Sequence, residues 1–246
     1  MNLPPQWIVP DWPAPAHVRA VITTRHGGVS SGPYASLNLG ARTDDDPAAV
    51  AANRARLQAH LPQPPKWLSQ VHGSTVVDAD GLSGIPSADA SVARQPGTVC
   101  AILIADCLPI LFTDRTGSCV AAAHAGWRGL AGGVIANTVA RLPAAPEELL
   151  AYIGPGIGPA AFEVGDDVLH AFCDESPEHR SAFAALRRGK WLCDLPALAR
   201  IALRRAGLTS IHGGRDCTVA DPQRFFSYRR DKITGRMAAL IWRSGT

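Results

Sequence analysis

The apolar segment from Gly97 to Asp114, GTVCAILIADCLPILFTD, is the feature that most constrains how this chain can fold. The segment is hydrophobic over nearly its whole length and is interrupted at Asp106–Pro109. Buried strands have near-continuous apolar sequences, and proline disturbs the hydrogen bonding of a strand interior. The segment therefore predicts two buried strands with a kink between them.

Other strands and helices are predicted on both sides of this segment. A β-branched strand is expected over Val18–Thr24, and a helix is expected in DDDPAAVAANRARLQAHL, capped by Asp46 with Pro47 in its first turn. The helix in DLPALARIALRRAGL should end at Gly207. The remaining predictions are two short strands around Gly73, a strand followed by a helix in GSCVAAAHAGWRGLAGGVIANTVARL, a strand in ELLAYIGPGIGP, a closing strand in RMAALIW, and helix ends at RRGK (Arg187 to Lys190) and Arg204–Arg205.

Strands and helices do not alternate strictly in this order, which favours an α/β or α+β fold with a mixed sheet over a doubly wound one. With 246 residues, of which 46% are hydrophobic, the chain is long enough for one large domain. We take residues 1–246 as that domain, with a proline-rich, extended lead-in over residues 1–17. The sequence contains neither G-x-G-x-x-G after a strand nor G-x-x-x-x-G-K-[ST], so dinucleotide and P-loop sites lose their main support.

Composition excludes several classes of partner. The net charge of +3 comes without a basic block, so no nucleic-acid partner is expected. No apolar run approaches the roughly 20 residues of a membrane span. The N-terminus lacks the features of a signal peptide, and a cytoplasmic location is expected. The six cysteines contain no C-x-x-C pair and are expected to be thiols or ligands.

Three residues share a context that suits a metal site. His72, Cys107 and His124 each follow an apolar run and precede a glycine or proline, where strands open into loops. Two imidazoles and one thiolate form a ligand set for zinc with a fourth position open. The residues lie 35 and 17 apart, so only the tertiary fold could join them. Buried thiols, core histidines, or a Cys107–histidine nucleophilic pair are the alternatives at this point.

Two arginines are candidates for binding an anion. Arg25 precedes the glycine loop HGGVSSG, and Arg128 lies near a predicted helix start, where backbone N–H groups also favour anions. Ordinary surface arginines are the alternative. Asp106 could orient a ligand histidine or transfer protons. The His212 to Cys217 stretch, HGGRDC, is interpreted as a loop.

Seven motifs together resemble the YfiH-type laccase-domain family, whose members are also described as polyphenol oxidases and as purine nucleoside phosphorylases. The motifs occur in order from about Val21 to Trp242 and cover nearly the whole chain. They are TTRHGGVSSGPYASLNLG, WLSQVHG, ADCLPILF, AAHAGWRGL, IGPGIGP, FEV and RFFSYRRDKITGRMAALIW.

The resemblance implies a sandwich of mixed sheets and flanking helices, similar to the fold of putative cysteine hydrolases of the YfiH type. It places the family's zinc ligands, and with them its catalytic centre, on His72, Cys107 and His124. The implied activity is phosphorolysis of adenosine, inosine and S-methyl-5′-thioadenosine, with adenosine deamination as a further activity. Purine nucleosides and phosphate are the implied partners, and Arg25 and Arg128 are the candidates for phosphate binding.

Other functions are compatible with some of these motifs. Copper could occupy a His₂Cys site, but the histidines contain no H-x-H pair of the kind a multicopper oxidase needs. The H-x-E and P-C-x-x-C motifs of the usual zinc deaminases are also absent. A thiol hydrolase using Cys107 competes with metal binding, and a purely structural zinc would be expected to have four ligands.

Overall fold

The computed structural model describes residues 3–245, whose strands form three sheets. The largest sheet has six strands in the order β11-β7-β5-β6-β3-β2, and the two others have the orders β1-β12-β4 and β8-β10-β9. The strands are β1 Val18–Ile22, β2 Val76–Asp78, β3 Ala90–Ala93, β4 Cys100–Ile104, β5 Leu108–Asp114, β6 Val120–Ala125, β7 Leu149–Ile153, β8 Glu163–Gly165, β9 Phe183–Arg187, β10 Lys190–Cys193, β11 Ser210–Gly213 and β12 Met237–Arg243.

The six-stranded sheet is mixed. Its outer pairs, β11 with β7 and β2 with β3, are parallel, whereas the central pairs are antiparallel. The helices are α1 Pro47–Gln58, α2 Trp127–Ala131, α3 Val134–Arg141, α4 Asp166–Cys173, α5 Leu195–Arg205 and α6 Tyr228–Asp231. None of the helices formed by residues 3–245 is long and apolar enough to span a membrane.

Successive side chains of the central strands point to opposite faces of the six-stranded sheet, and each face packs against a different layer of the fold. In β6, Ala121 and Ala123 pack with α3 and α5, whereas Val120 and Ala122 face the sheet of β1, β12 and β4. The other face of that smaller sheet is buried against residues that include Leu57 of α1. The fold is therefore a sandwich of sheets with flanking helices, which confirms the predicted fold class.

The apolar segment forms β4 and β5 with a turn at 105–107, as predicted, except that Pro109 lies within β5. Pro109 is the second residue of β5, so its missing N–H falls near the start of the strand and leaves the rest of the ladder intact, while its carbonyl oxygen accepts the N–H of Gly154 (2.8 Å). The α1 cap is also confirmed: the Asp46 carboxylate accepts the N–H of Ala48 (2.9 Å). At the end of α5, Gly207 follows the last turn with a φ of 94°.

Three predictions of secondary structure were wrong. The single helix expected after β6 is split into α2 and α3, because Gly133 adopts a φ of 83° between them. Of the two short strands expected around Gly73, β2 follows it, but the described residues between α1 and Gly73 contain no strand; Lys66 and Ser69 form isolated bridges only. The expected helix end at Arg187–Lys190 is a hairpin between β9 and β10, with Gly189 in its turn at a φ of 69°.

Within the predicted lead-in, residues 3–17 contain no helix or named strand; Ile8 forms a bridge with Ile22 of β1. Residues 1 and 2 lie outside the described residues.

Candidate metal centre and cavity

The fold brings together the three residues that the sequence singled out. His72 lies in the loop before β2, Cys107 in the turn between β4 and β5, and His124 near the end of β6. One candidate ligand atom from each residue lies within 4.8 Å of the other two. The two imidazole rings meet edge to face, with centroids 4.9 Å apart. Two nitrogens and one sulfur at this spacing match the donor set of a three-ligand zinc site.

Asp89, which no sequence pattern singled out, organises this centre. Its side chain is fully buried and lies 2.8 Å from Nδ1 of His124. The same carboxylate accepts the backbone N–H groups of Val71 (3.1 Å), His72 (2.9 Å) and Gly73 (2.7 Å). An ionised carboxylate can only accept, so Nδ1 of His124 donates and Nε2 is left for a metal. Asp89 thus positions two of the three candidate ligands.

Gly126 allows the thiol and an imidazole to approach each other. A Cβ at this position would lie 2.8 Å from Sγ of Cys107 and 3.2 Å from Cδ2 of His72. The first distance is shorter than any normal contact, so a larger residue would push the ligands apart. Gly126, two residues after His124, is therefore a steric requirement of the site.

The charges of the centre favour a thiolate. Burial acts to raise the pKa of the Cys107 thiol, but the neighbouring His124 and His72 lower that pKa to about 6. For His124, burial acts to lower the pKa, whereas the Cys107 thiolate and the Asp89 carboxylate raise it to about 9. The pKa of Asp89 is lowered, because its hydrogen bonds outweigh its burial. Without metal, the geometry thus stabilises a thiolate beside an imidazolium, and a metal ion would replace the imidazolium proton.

A cavity of about 680 Å³ opens beside the centre, a volume within the usual range for small-molecule sites. Asp106 is the one carboxylate among the described residues that line it, whereas five arginines do so. Among residues 3–245, none of these five arginines forms an ion pair with a carboxylate. The cavity therefore carries uncompensated positive charge. The five are Arg42, Arg54, Arg128, Arg229 and Arg236.

Aromatic and apolar side chains line the rest of the cavity. They provide flat surfaces on which a planar ring could stack, beside the polar groups that would orient it. The larger members of this set are Trp67, Leu68, Ile85, Leu103, Trp127, Ile157, Phe162, Leu195 and Tyr228.

The structure brings one of the two predicted phosphate-binding arginines to the cavity. Arg128 lines it, with its guanidinium 4.4 Å from the ring centroid of Trp127. Arg25 does not: its Nε donates to the carbonyl of Ala35 (2.9 Å) and its Nη1 to that of Pro222 (2.9 Å). Those contacts tie two loops together.

The carboxylate of Asp106 does not orient a histidine, since Asp89 makes that contact. It accepts the hydroxyl of Thr218 and the backbone N–H of Arg229, both at 2.6 Å. In the His212–Cys217 stretch, His212 belongs to β11 and contacts Ser210, and neither His212 nor Cys217 lines the cavity.

Comparison with known proteins gives a consistent result. The family described as "Multi-copper polyphenol oxidoreductase laccase" matches residues 19–244. A purine nucleoside phosphorylase of Pseudomonas aeruginosa is 56% identical over 237 residues, covering 96% of this chain and 98% of its own. The purine nucleoside phosphorylase YfiH of Escherichia coli is 52% identical, with the same coverage.

A crystal structure shows the same similarity in three dimensions. A Neisseria meningitidis protein is 53% identical to this chain and superposes with a TM-score of 0.96, over 98% of this chain and 100% of its own. The likeness therefore extends across the whole fold that forms the centre and the cavity.

Proposed function

We propose that this chain, a member of the family described as multi-copper polyphenol oxidoreductase laccase, is a zinc-dependent purine nucleoside phosphorylase. Two proteins similar to it are named purine nucleoside phosphorylases. Its substrates would be adenosine, inosine and S-methyl-5′-thioadenosine, with adenosine deamination as a second activity. The observation that carries the proposal is the cavity, in which five arginines without carboxylate partners lie beside the His72, Cys107 and His124 centre.

Phosphorolysis explains the charge of this cavity. A phosphate oxygen forms a bond to C1′ of the ribose, the bond from C1′ to N9 breaks, and the departing purine takes up a proton. The reaction needs a site for a phosphate dianion next to the nucleoside, and guanidinium groups suit phosphate because they donate in a planar fork. Among the arginines predicted from the sequence, Arg128 is placed to contribute; Arg25 would have to leave its carbonyl partners to do so.

The centre fits zinc by its donor set. His72 and His124 would supply nitrogen and Cys107 sulfur, while Asp89 holds the tautomer of His124 that leaves Nε2 free. Bound there with a fourth position open, zinc would supply Lewis-acid polarisation to a substrate group. The chain's own residues would orient the nucleoside: the aromatic walls by stacking on the purine, and Asp106 by accepting a hydrogen bond from the ribose or moving a proton in deamination.

Two alternatives remain distinct from this proposal. Multicopper oxidase chemistry needs a second group of histidines, and His72, Cys107 and His124 form the one cluster of three metal-binding side chains found within residues 3–245. A single copper ion in place of zinc is compatible with that cluster. A thiol hydrolase is favoured by one observation, the lowered pKa of the Cys107 thiol beside His124.

The proposal is tested by incubating the zinc-loaded protein with adenosine, with and without phosphate, and separating the products. Adenine and ribose 1-phosphate should form only when phosphate is present, and inosine should form in either case. Parallel samples loaded with copper and supplied with a phenol address the oxidase. Rapid alkylation of Cys107 in the zinc-loaded protein, with no turnover of nucleosides, would favour the hydrolase and refute the proposal.

A further inference from the structure

Two of the five cavity arginines differ from the rest in their surroundings. Arg54 and Arg236 are half-buried, whereas the other three are exposed. Burial lowers the pKa of both guanidinium groups, and neither has a carboxylate partner within residues 3–245. The charges of Asp106 and Cys107 act on Arg236 without forming an ion pair with it. Holding a cation partly out of water without a directly paired counter-charge costs free energy, which an anionic ligand would offset.

One short segment, Asn38–Gly40, holds both arginines. The carbonyl oxygen of Leu39 accepts a hydrogen bond from Nε of Arg54 (3.0 Å). The backbone N–H of Arg236 donates to Oδ1 of Asn38 (2.8 Å), and its carbonyl accepts the N–H of Leu39 (3.0 Å). Leu39 therefore binds both arginines, the side chain of Arg54 through its carbonyl oxygen and the backbone of Arg236 through its N–H.

Gly40 provides the space that Arg236 occupies. A Cβ on Gly40 would lie 2.7 Å from Cγ of Arg236 and 3.2 Å from its Cβ. These atoms are at the rigid base of the side chain, so a larger residue at position 40 would displace the whole stem. Gly40 is further held by donating its N–H to Oδ1 of Asn38 (3.0 Å).

Both guanidinium groups keep unused donors. Nη1 of Arg236 donates to the carbonyls of Thr234 (2.9 Å) and Gly235 (3.0 Å), and its Nε and Nη2 find no acceptor among residues 3–245. The guanidinium of Arg54 lies over the ring of Trp67, 4.5 Å from the centroid, with both Nη atoms equally free. Each group is thus oriented by the protein and still able to donate to a ligand in the cavity.

We propose that Arg54 and Arg236 form a two-arginine clamp for a phosphate group, positioned by the Asn38–Gly40 segment. Inorganic phosphate as the ligand rests on the proposed function. Arg128 is exposed and stacks on Trp127, so it would be an outer contact and not the principal one.

The direct test is calorimetric titration of inorganic phosphate into the zinc-loaded protein. Arg54→Gln and Arg236→Gln should each weaken binding about tenfold or more, because each substitution removes a positive charge and its charge-assisted hydrogen bonds to phosphate. Arg56→Gln is the matched control: Arg56 lies on the same helix, donates to the carbonyl of Gly27, and does not line the cavity. It should bind phosphate as the wild type does.

Gly40→Ala provides a second variant that keeps both guanidinium groups. It should also weaken phosphate binding, since the new methyl group displaces Arg236, while thermal unfolding shows that the fold persists. In steady-state assays, all three clamp variants should raise the KM for phosphate and leave the KM for adenosine nearly unchanged.

The outcomes separate the clamp from the proposed function. Phosphate binding that depends on Arg54 and Arg236, without any release of adenine, supports the clamp and refutes the phosphorylase. Phosphorolysis with an unchanged KM for phosphate in both arginine variants supports the phosphorylase and overturns the clamp. If adenosine 5′-monophosphate binds through these arginines and inorganic phosphate does not, the assignment of inorganic phosphate is overturned. Absence of phosphate binding by the wild type overturns it as well.

Discussion

Oδ1 of Asp89 lies 2.8 Å from Nδ1 of His124 and 2.9 Å from the backbone nitrogen of His72. One buried carboxylate therefore orients the ring of one predicted metal ligand and fixes the backbone of another. In the first case it sets the tautomer, and in the second it holds the main chain from which the ligand projects.

Replacing Asp89 with asparagine should lower zinc affinity about 10–100-fold, as is typical when the partner of a ligand histidine is lost. The amide can no longer accept from all four donors, and it lacks the charge that raises the pKa of His124. Competition with a chromophoric chelator measures the affinity. Asp174→Asn is the control, because Asp174 forms the same kind of pair with His170 on the exposed surface of α4. Equal zinc affinities of the two variants would refute the positioning role.

Cys107→Ala should abolish stoichiometric zinc binding. The purified wild type should carry about one zinc ion per chain, as expected for a three-ligand site, and elemental analysis compares it with the variant. Cys173→Ala, which removes a thiol outside the cavity lining, should retain the metal. Full zinc content in Cys107→Ala would contradict the ligand assignment.

Zinc affinity should rise with pH, because protons must leave the ligands. With the pKa of Cys107 at about 6 and that of His124 at about 9, at pH 7.5 in the metal-free centre Cys107 is a thiolate and His124 holds a displaceable proton. The affinity should increase about tenfold per pH unit between these values and more steeply below the lower one, where Cys107 is protonated too. Titrations in buffers of different ionisation enthalpy count the released protons. No buffer dependence at pH 7.5 would contradict the thiolate–imidazolium state.

Gly126→Ala should disrupt metal binding without removing any ligand. Its methyl group would overlap Sγ of Cys107, so the thiol must shift away from the imidazoles. We expect a loss of zinc affinity with far-ultraviolet circular dichroism unchanged. Gly245→Ala, at a position with open space around it, is the control. A variant at Gly126 that binds zinc normally would show that the close approach is not required.

Arg25→Gln should affect stability rather than phosphate. The substitution removes two hydrogen bonds to loop carbonyls and a stacking contact with Phe226, at a cost of about 1–3 kcal/mol. Chemical denaturation measures this loss. A raised KM for phosphate in this variant, with unchanged stability, would instead restore Arg25 as a phosphate contact.

The sequence singled out the three candidate ligands but not the residue that orients them. His72, Cys107 and His124 were recognisable because each ends an apolar run, and the family motifs include all three. Asp89 stands in SADASV without a distinguishing pattern. Its role arises only when two separate segments meet its carboxylate, which no local signal could reveal.

The arginines were equally hard to predict. Arg54 sits on a helix whose sequence shows no marked apolar face, so its direction toward the cavity depends on how α1 packs.

Where a strand was expected before Gly73, the Gln70 amide instead bonds the N–H and carbonyl of Leu103, each at 2.8 Å. A side chain there replaces the pairing that a neighbouring strand would have made.

Two of the three non-glycine residues with positive φ within residues 3–245 are His72, at 60°, and Asp106, at 96°. Such conformations cost about 1–3 kcal/mol each unless glycine is present. These two conformations therefore lower the free energy of unfolding at His72 and beside Cys107, where the chain presents two candidate metal-binding side chains. At position 106 the carboxylate offsets part of this cost through its hydrogen bonds with Thr218 and Arg229, so a glycine there would relieve the backbone strain but lose both bonds.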